Sequence, residues 1–242
     1  MKKCFALLVS LLFLTSCAPK VQVAILQSAD LKTDNSAFVY ENDTLLLKYN
    51  FYSNGGIVRF SVFNKLNVPI YIDWKKTAFI VGKQKMDYWT NEATTYGQMS
   101  RYYYGGWYGT ITKNERITFI PPGTEIEKRS YILMSNSKFN DLAHVAPQEI
   151  TASWKANKIT RIKHKTYTPE DTPLAFRNYI TYSTNQDFTK EAYIDNYFWV
   201  KEIMEMSDKQ FMGKTIGITK SHQYIFQLPY KAPDAFYIQR MP

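Results

Sequence analysis

Thiol chemistry has little to work with in this chain of 242 residues. It holds two cysteines, Cys4 and Cys17, too few for a disulfide scaffold or a multi-cysteine zinc site. Histidine is almost as scarce. His144, His164 and His222 stand far apart, and none belongs to a paired ligand spacing such as His-x-x-x-His. Isolated surface or hydrogen-bonded histidines are the expectation, with no metal implied. There is no Gly-x-Ser-x-Gly elbow, no glycine-rich phosphate loop before a helix, and no Asp/Asn run ending in Glu. The sequence therefore implies no cofactor. Ten glycines and ten prolines exclude collagen-like and low-complexity chains. Helical spacing of apolar residues is not sustained over ten positions anywhere, so no helix is assigned.

What is present supports a globular protein. Hydrophobic residues make up 45%, aromatic residues 16% and charged residues 21%, a balance that argues against intrinsic disorder. At the start, Lys2 and Lys3 precede an apolar run from Phe5 to Leu14. That run spans about ten residues where a membrane-spanning helix needs about 20, so it reads as the core of a secretory signal peptide. Leu14-Thr15-Ser16-Cys17 then resembles the bacterial lipobox. The resemblance implies lipid transfer to the Cys17 thiol, cleavage before Cys17, and a membrane anchor of several fatty chains. Cleavage removes Cys4 and lipidation consumes Cys17, which leaves no thiol for catalysis or metal binding. Loss of Lys2 and Lys3 lowers the formal charge from +9 to +7, because the first sixteen residues hold no acid. The basic residues are scattered except for Lys155, Lys158, Arg161, Lys163 and Lys165. An excess of this size serves solubility or attraction to anionic lipid and acidic glycans. An exported protein does not meet nucleic acid.

The rest of the chain reads as strands. Residues 18 to about 37 look like a tether or a first edge strand. Leu45, Leu47, Tyr49 and Phe51 alternate with polar partners, as a half-buried strand requires. Ser53-Asn54-Gly55-Gly56 supplies a hairpin turn, and Ile57 to Phe63 places Val58, Phe60 and Val62 on one face. With Ile70 to Trp74 and Ala78 to Val81, this forms a β meander. Ile117 to Ile120 runs through Pro121-Pro122-Gly123-Thr124 into a return strand at Ser130 to Met134. Further strands are expected at 150–154, 158–162, 177–182, 193–204, 215–219, 224–228 and 235–239, with 197–204 also able to form two helical turns. Many short strands separated by Pro, Gly and Asn indicate an all-β antiparallel sandwich elaborated by insertions. The organisation is then a cleaved signal at 1–16, a lipidated Cys17 and tether over 17–37, and a sandwich over 38–242. A subdivision near 135–141 is the alternative to a single unit.

Three stretches carry a family resemblance. Arg59-Phe60-Ser61-Val62-Phe63-Asn64, Pro69-Ile70-Tyr71-Ile72-Asp73-Trp74 and Ile120-Pro121-Pro122-Gly123-Thr124-Glu125 resemble immunoglobulin-like domains, in which a strand ends in Asn before a Pro-Ile turn. With Thr172-Pro173-Leu174-Ala175-Phe176-Arg177-Asn178 and the lipobox, the chain is similar to small lipoproteins of Bacteroidota-type bacteria. The resemblance implies an immunoglobulin-like sandwich and a lipid anchor, and no activity comes with it. Ala18-Pro19-Lys20 lacks the acidic run that resembles a surface-export signal, so an outer membrane location facing the periplasm is expected.

One segment stands out chemically. Tyr88, Trp89, Tyr96, Tyr102, Tyr103, Tyr104, Trp107 and Tyr108 crowd 21 residues. Trp89, Tyr102, Tyr103, Tyr104, Trp107 and Tyr108 are the candidate binding residues, because flat rings with polar tips stack on sugars and grip peptides. The structural alternative is a strand with aromatic residues on both faces. Asp73 beside Trp74, and Asp87 beside Tyr88 and Trp89, offer the residue types of a glycosidase pair, although Asp73 is equally a strand-end residue bonding a neighbouring loop. The expected function is a lipid-anchored envelope protein, with no catalytic residue assigned, that binds or scaffolds an envelope protein or glycan. A glycan-binding module and an envelope-polymer hydrolase are the alternatives.

Overall fold

A computed structural model describes residues 20–99, 107–135, 138–152 and 158–239. Every ladder between its named strands is antiparallel. The larger sheet runs through β11 (Ile117–Ile120), β6 (Ile70–Asp73), β15 (Ala175–Ser183), β16 (Glu191–Ser207), β1 (Lys20–Gln27) and β19 (Ala235–Gln239). Off this path, β7 (Ala78–Val81) pairs β15 and leads to β8 (Gln84–Asp87), and β14 (Lys158–Thr166) pairs β16 and β13 (Gln148–Ala152). The smaller sheet runs β12 (Glu125–Ile132), β5 (Ile57–Asn64), β4 (Leu45–Asn50), β3 (Ala37–Glu41) and β2 (Lys32–Asp34). Two hairpins form sheets of their own: β9 (Ala93–Met99) with β10 (Trp107–Lys113), and β17 (Thr215–Ile218) with β18 (Tyr224–Phe226). One short helix, α1 (Asp208–Met212), follows β16.

The two large sheets face each other as an all-β sandwich. Alternation decides what each strand sends inward: Leu45, Leu47 and Tyr49 from β4 and Val58, Phe60 and Val62 from β5 are buried. They meet Ile70, Ile72, Phe176, Ile180 and Phe198 of the other sheet in one apolar cluster. The Tyr49 and Phe198 rings pack edge to face with centroids 4.9 Å apart, and Phe38 meets Phe198 at 5.3 Å. A short polar relay crosses this core. Tyr88 donates to Asn178 Oδ1 (2.7 Å), Asn178 Nδ2 donates to the Tyr49 hydroxyl (3.0 Å), and Tyr49 donates to Asn196 Oδ1 (2.8 Å). All four residues are buried, so each polar atom depends on these partners in place of water. Burial also pushes the Tyr49 and Tyr88 phenols above their usual ionisation range.

The connections differ from a simple meander. β4 and β5 form the expected hairpin, but β5 lies in the smaller sheet and β6 in the larger one. Likewise β11 and β12 are not a hairpin: Pro121-Pro122-Gly123-Thr124 carries the chain from one sheet to the other. Asn64 joins these two crossings. Fully buried, its Nδ2 donates to the Val68 carbonyl (2.8 Å) and the Ile120 carbonyl (3.0 Å). Its own backbone bonds the Gly123 and Thr124 amide and carbonyl groups. The turn Gly55-Gly56 does more than reverse the chain. Both residues have positive φ, and Gly55 N–H donates to Tyr237 while its carbonyl accepts from Met134. A Cβ on Gly56 would lie 2.8 Å from the Phe236 ring.

The opening segment is a correction. Read as a tether or edge strand, Lys20–Gln27 is an interior strand between β16 and β19. Its inner face joins the main core through Ala24 and Leu26. Its outer face, Val21 and Val23, joins a second cluster with Ile162, Met204, Met206, Phe211 and Ala235. Burial on both faces removes the alternation by which strands are recognised. The candidate boundary at 135–141 brings Phe139 into the main core. There the buried Gln22 side chain donates to the Phe139 carbonyl and accepts from its amide, both at 2.8 Å. Residues 197–204 are strand, not helix.

Helix α1 was not expected. Ser207 caps it, with the Gln210 amide bonding Ser207 Oγ (3.3 Å) and Gln210 Oε1 accepting from the Ser207 amide (2.8 Å). This reciprocal box starts a helix too short to show apolar periodicity.

Candidate functional site

The aromatic-rich insertion forms a hairpin that joins neither large sheet. β9 and β10 pair from Ala93↔Lys113 to Met99↔Trp107. Trp107 opens β10, Tyr108 follows it opposite Gln98, and Tyr96 pairs with Thr110. Tyr102, Tyr103 and Tyr104 belong to the stretch between the two strands and lie outside the described residues. So does Cys17. The structure thus brings Trp107 and Tyr108 onto one strand of an arm, and places Trp89 at its foot.

That foot is firmly built. Tyr88 is buried among the rings of Phe60 (5.9 Å), Trp74 (5.9 Å) and Tyr131 (5.3 Å), and its hydroxyl enters the core relay. Trp89 is half-buried against the same core, and its Nε1 donates to the Asn114 carbonyl across the two ends of the insertion (2.8 Å). Tyr131 donates to the Asp87 carbonyl. Trp74 donates its indole N–H to Thr118 Oγ1 (2.7 Å) and its backbone N–H to the Arg116 carbonyl (2.8 Å). The Lys128 ammonium sits 4.6 Å from the centre of the Trp74 ring, and burial holds its pKa below the usual lysine value. Trp89 is therefore a structural clamp at the foot of the arm. Trp74, Asn114, Arg116, Tyr131 and Asn178 complete it, and the aromatic spacing that flagged the segment gave no sign of these partners.

The two carboxylates weighed for catalysis are occupied. Asp73 is fully buried; Arg116 grips it from Nε to Oδ1 (3.1 Å) and from Nη2 to Oδ2 (2.6 Å). The Lys75 amide donates to Oδ1 as well, at 3.0 Å. Burial pushes this carboxyl up, but Arg116 and the Lys75 and Lys76 amides together hold it below the usual carboxylate range. A carboxylate kept charged by a guanidinium is a fastener and a poor general acid. Asp87 is exposed and pairs with Lys85.

Two of the described members of the basic cluster meet carboxylates and a third meets backbone carbonyls. Arg161 meets Glu149 (2.9 Å), Lys165 meets Asp141 (3.9 Å) and lies over the Tyr167 ring, and Lys163 donates to the Leu142 carbonyl (2.8 Å). His164 Nε2 lies 2.9 Å from Glu202. Among the described residues no group of three or more His, Cys, Asp or Glu side chains could hold a metal ion. Among them, too, no helix is long and apolar enough to cross a membrane. A shallow depression of about 420 Å³ lies on the outer face of the smaller sheet, lined by Leu46, Lys48, Ser61, Phe63, Gly123 and Glu125. No family model, curated protein or solved structure matches this chain.

Proposed function

We propose that this is a lipid-anchored cell-envelope protein in which an immunoglobulin-like sandwich presents the β9–β10 arm to a binding partner, a role of recognition or scaffolding rather than catalysis. The observation that carries this reading is the arm itself, a two-stranded sheet separate from the sandwich and rooted in it by Tyr88, Trp89 and Tyr131. A rigid root under an aromatic-rich reach of chain lowers the ordering cost of binding. Cys17 supplies the anchor, and the protein faces the periplasm from the outer membrane. Envelope glycan is the second reading of the ligand, because aromatic rings stack on sugar faces. The hydrolase alternative would need two free carboxylates in a cleft, and Arg116 already holds Asp73. Retention on purified peptidoglycan sacculi and on a glycan array, compared between the full chain and Trp107→Ala and Tyr103→Ala variants, tests the arm. Loss of retention in both variants supports glycan recognition. Equal retention by all three removes the arm from the account, and turnover of the polymer abolished by a single carboxylate substitution would replace binding with catalysis.

A further inference from the structure

The hairpin of β17 and β18 has an unusual surface for an element of a water-facing fold. Ile216 is 63% exposed, Ile218 59%, Tyr224 64% and Ile225 42%. Ile218 pairs with Tyr224, and the Tyr224 and Phe226 rings lie 6.4 Å apart, so these three share one face, with Ile216 exposed at a register shift beside them. Ile225 occupies the other face, opposite Gly217. Exposed apolar residues gathered on one small element mark a contact surface, whereas scattered ones need no explanation. The segment that carries them, between Asp208 and Asp234, holds charge of one sign. From Lys209 to Pro233 the chain holds Lys209, Lys214, Lys220 and Lys231 and no Asp or Glu. Lys214 and Lys220, at the two ends of β17, are exposed.

Position supplies the second argument. Lys20, the first described residue, pairs with Ser207, and Ser207 is the N-cap of α1. The hairpin springs directly from this helix. Its base is closed by the Gln227 amide donating to Lys214 (2.9 Å) and the Leu228 amide donating to Met212 (3.1 Å). Only Ala18 and Pro19 separate Lys20 from Cys17, a reach of about 10 Å when fully extended. The start of β1, the helix and the base of the hairpin thus share one end of the larger sheet, the end from which the chain leads back to Cys17.

We infer that the β17–β18 hairpin is a membrane-contact element, laying Ile216, Ile218 and Tyr224 into the interface of an anionic phospholipid layer while Lys214 and Lys220 meet the headgroup charges. Isoleucine and tyrosine enter the boundary between headgroups and acyl chains, and each lysine adds electrostatic attraction to anionic lipid. A second copy of the chain is a poorer occupant, because two facing hairpins would bring lysines against lysines. The placement beside Cys17 rests on the lipid-anchor reading, which is tested separately below.

The experiment is hydrogen exchange of the full chain reconstituted into phosphatidylglycerol-containing vesicles, into phosphatidylcholine vesicles, and without vesicles, with Cys17 acylation read by mass spectrometry of the same sample. The expected result is slowed exchange across 215–226 with the anionic vesicles. Ile216→Ser with Ile218→Ser should abolish the slowing, and each of Lys214→Gln and Lys220→Gln should weaken the contact about fivefold. All four side chains are exposed, so the variants should keep the wild-type unfolding midpoint. Exchange across 215–226 that is identical in all three conditions overturns the inference. So does slowing that appears without vesicles and grows with protein concentration, which would assign the hairpin to self-association. An unacylated chain whose hairpin is still slowed by anionic vesicles leaves the inference standing and removes the anchor. An acylated chain with an unchanged hairpin does the reverse.

Discussion

Asn178 is the residue on which the root of the aromatic arm turns. Its Oδ1 accepts from Tyr88 and its Nδ2 donates to Tyr49, both inside the core. Asn178→Leu keeps the approximate volume and removes both bonds. Tyr49 retains Asn196 as its acceptor at 2.8 Å, whereas the Tyr88 hydroxyl is left without one. An orphaned buried hydroxyl costs about 1–3 kcal/mol and the second bond adds about 1, so a loss of about 2–4 kcal/mol is expected. Tyr88→Phe strands Asn178 Oδ1 instead and should cost about 1–3 kcal/mol. The double variant strands neither atom of that bond, so its cost should fall below the sum by about 1–2 kcal/mol. Urea unfolding of the four proteins measures this cycle. Additivity within about 0.5 kcal/mol would show that Tyr88 and Asn178 do not depend on each other, and the root as described would be wrong.

Acid should loosen the Asp73–Arg116 fastener. The folded-state pKa of Asp73 lies below the ordinary carboxylate value, so the unfolded chain binds the proton more readily. The resulting stability is fully present above about pH 4 and is lost as pH falls through the depressed folded value. Asp73→Asn should therefore be less stable than wild type at neutral pH, with the difference shrinking below about pH 4; a gap that stays constant from pH 7 to pH 2 contradicts this. Gly56→Ala should cost about 2–4 kcal/mol in thermal unfolding, because it adds a strained φ to a clash with Phe236. Gly82→Ala has a positive φ too but open space around it, and should lose only about 1–2 kcal/mol; equal losses at the two sites would discredit the close approach at Gly56.

The strands with one wet face were legible in the sequence, because β4 and β5 alternate as a half-buried surface must. β1 was not, since both its faces are covered and apolar residues fall on both, with Gln22 the one polar residue from Val21 to Leu26. Sheet membership was also hidden. The turn at Pro121-Pro122-Gly123 announces a reversal, but nothing local says that Ile117–Ile120 pairs with β6 while Glu125–Ile132 pairs with β5. The capping box at Ser207 and Gln210 was readable in principle, yet five residues are too few to support it with periodicity. At the candidate site the aromatic crowding falls on a stretch whose strands, β9 and β10, form a sheet of their own. It could not separate Tyr88 and Trp89, which fasten the root, from Trp107 and Tyr108 on the arm. That distinction depends on Asn178, Tyr131 and Asn114, 25 to 90 residues away along the chain.

The claim beneath the proposed function is that Cys17 carries the fatty chains that hold this sandwich at a membrane. Growing bacteria that express the chain with radiolabelled palmitate provide the direct measurement, with a Cys17→Ser variant beside it. The account predicts label in the wild-type protein and its sedimentation with membranes, and neither in the variant. Label absent from the wild type, or unchanged membrane fractionation in the variant, would contradict it.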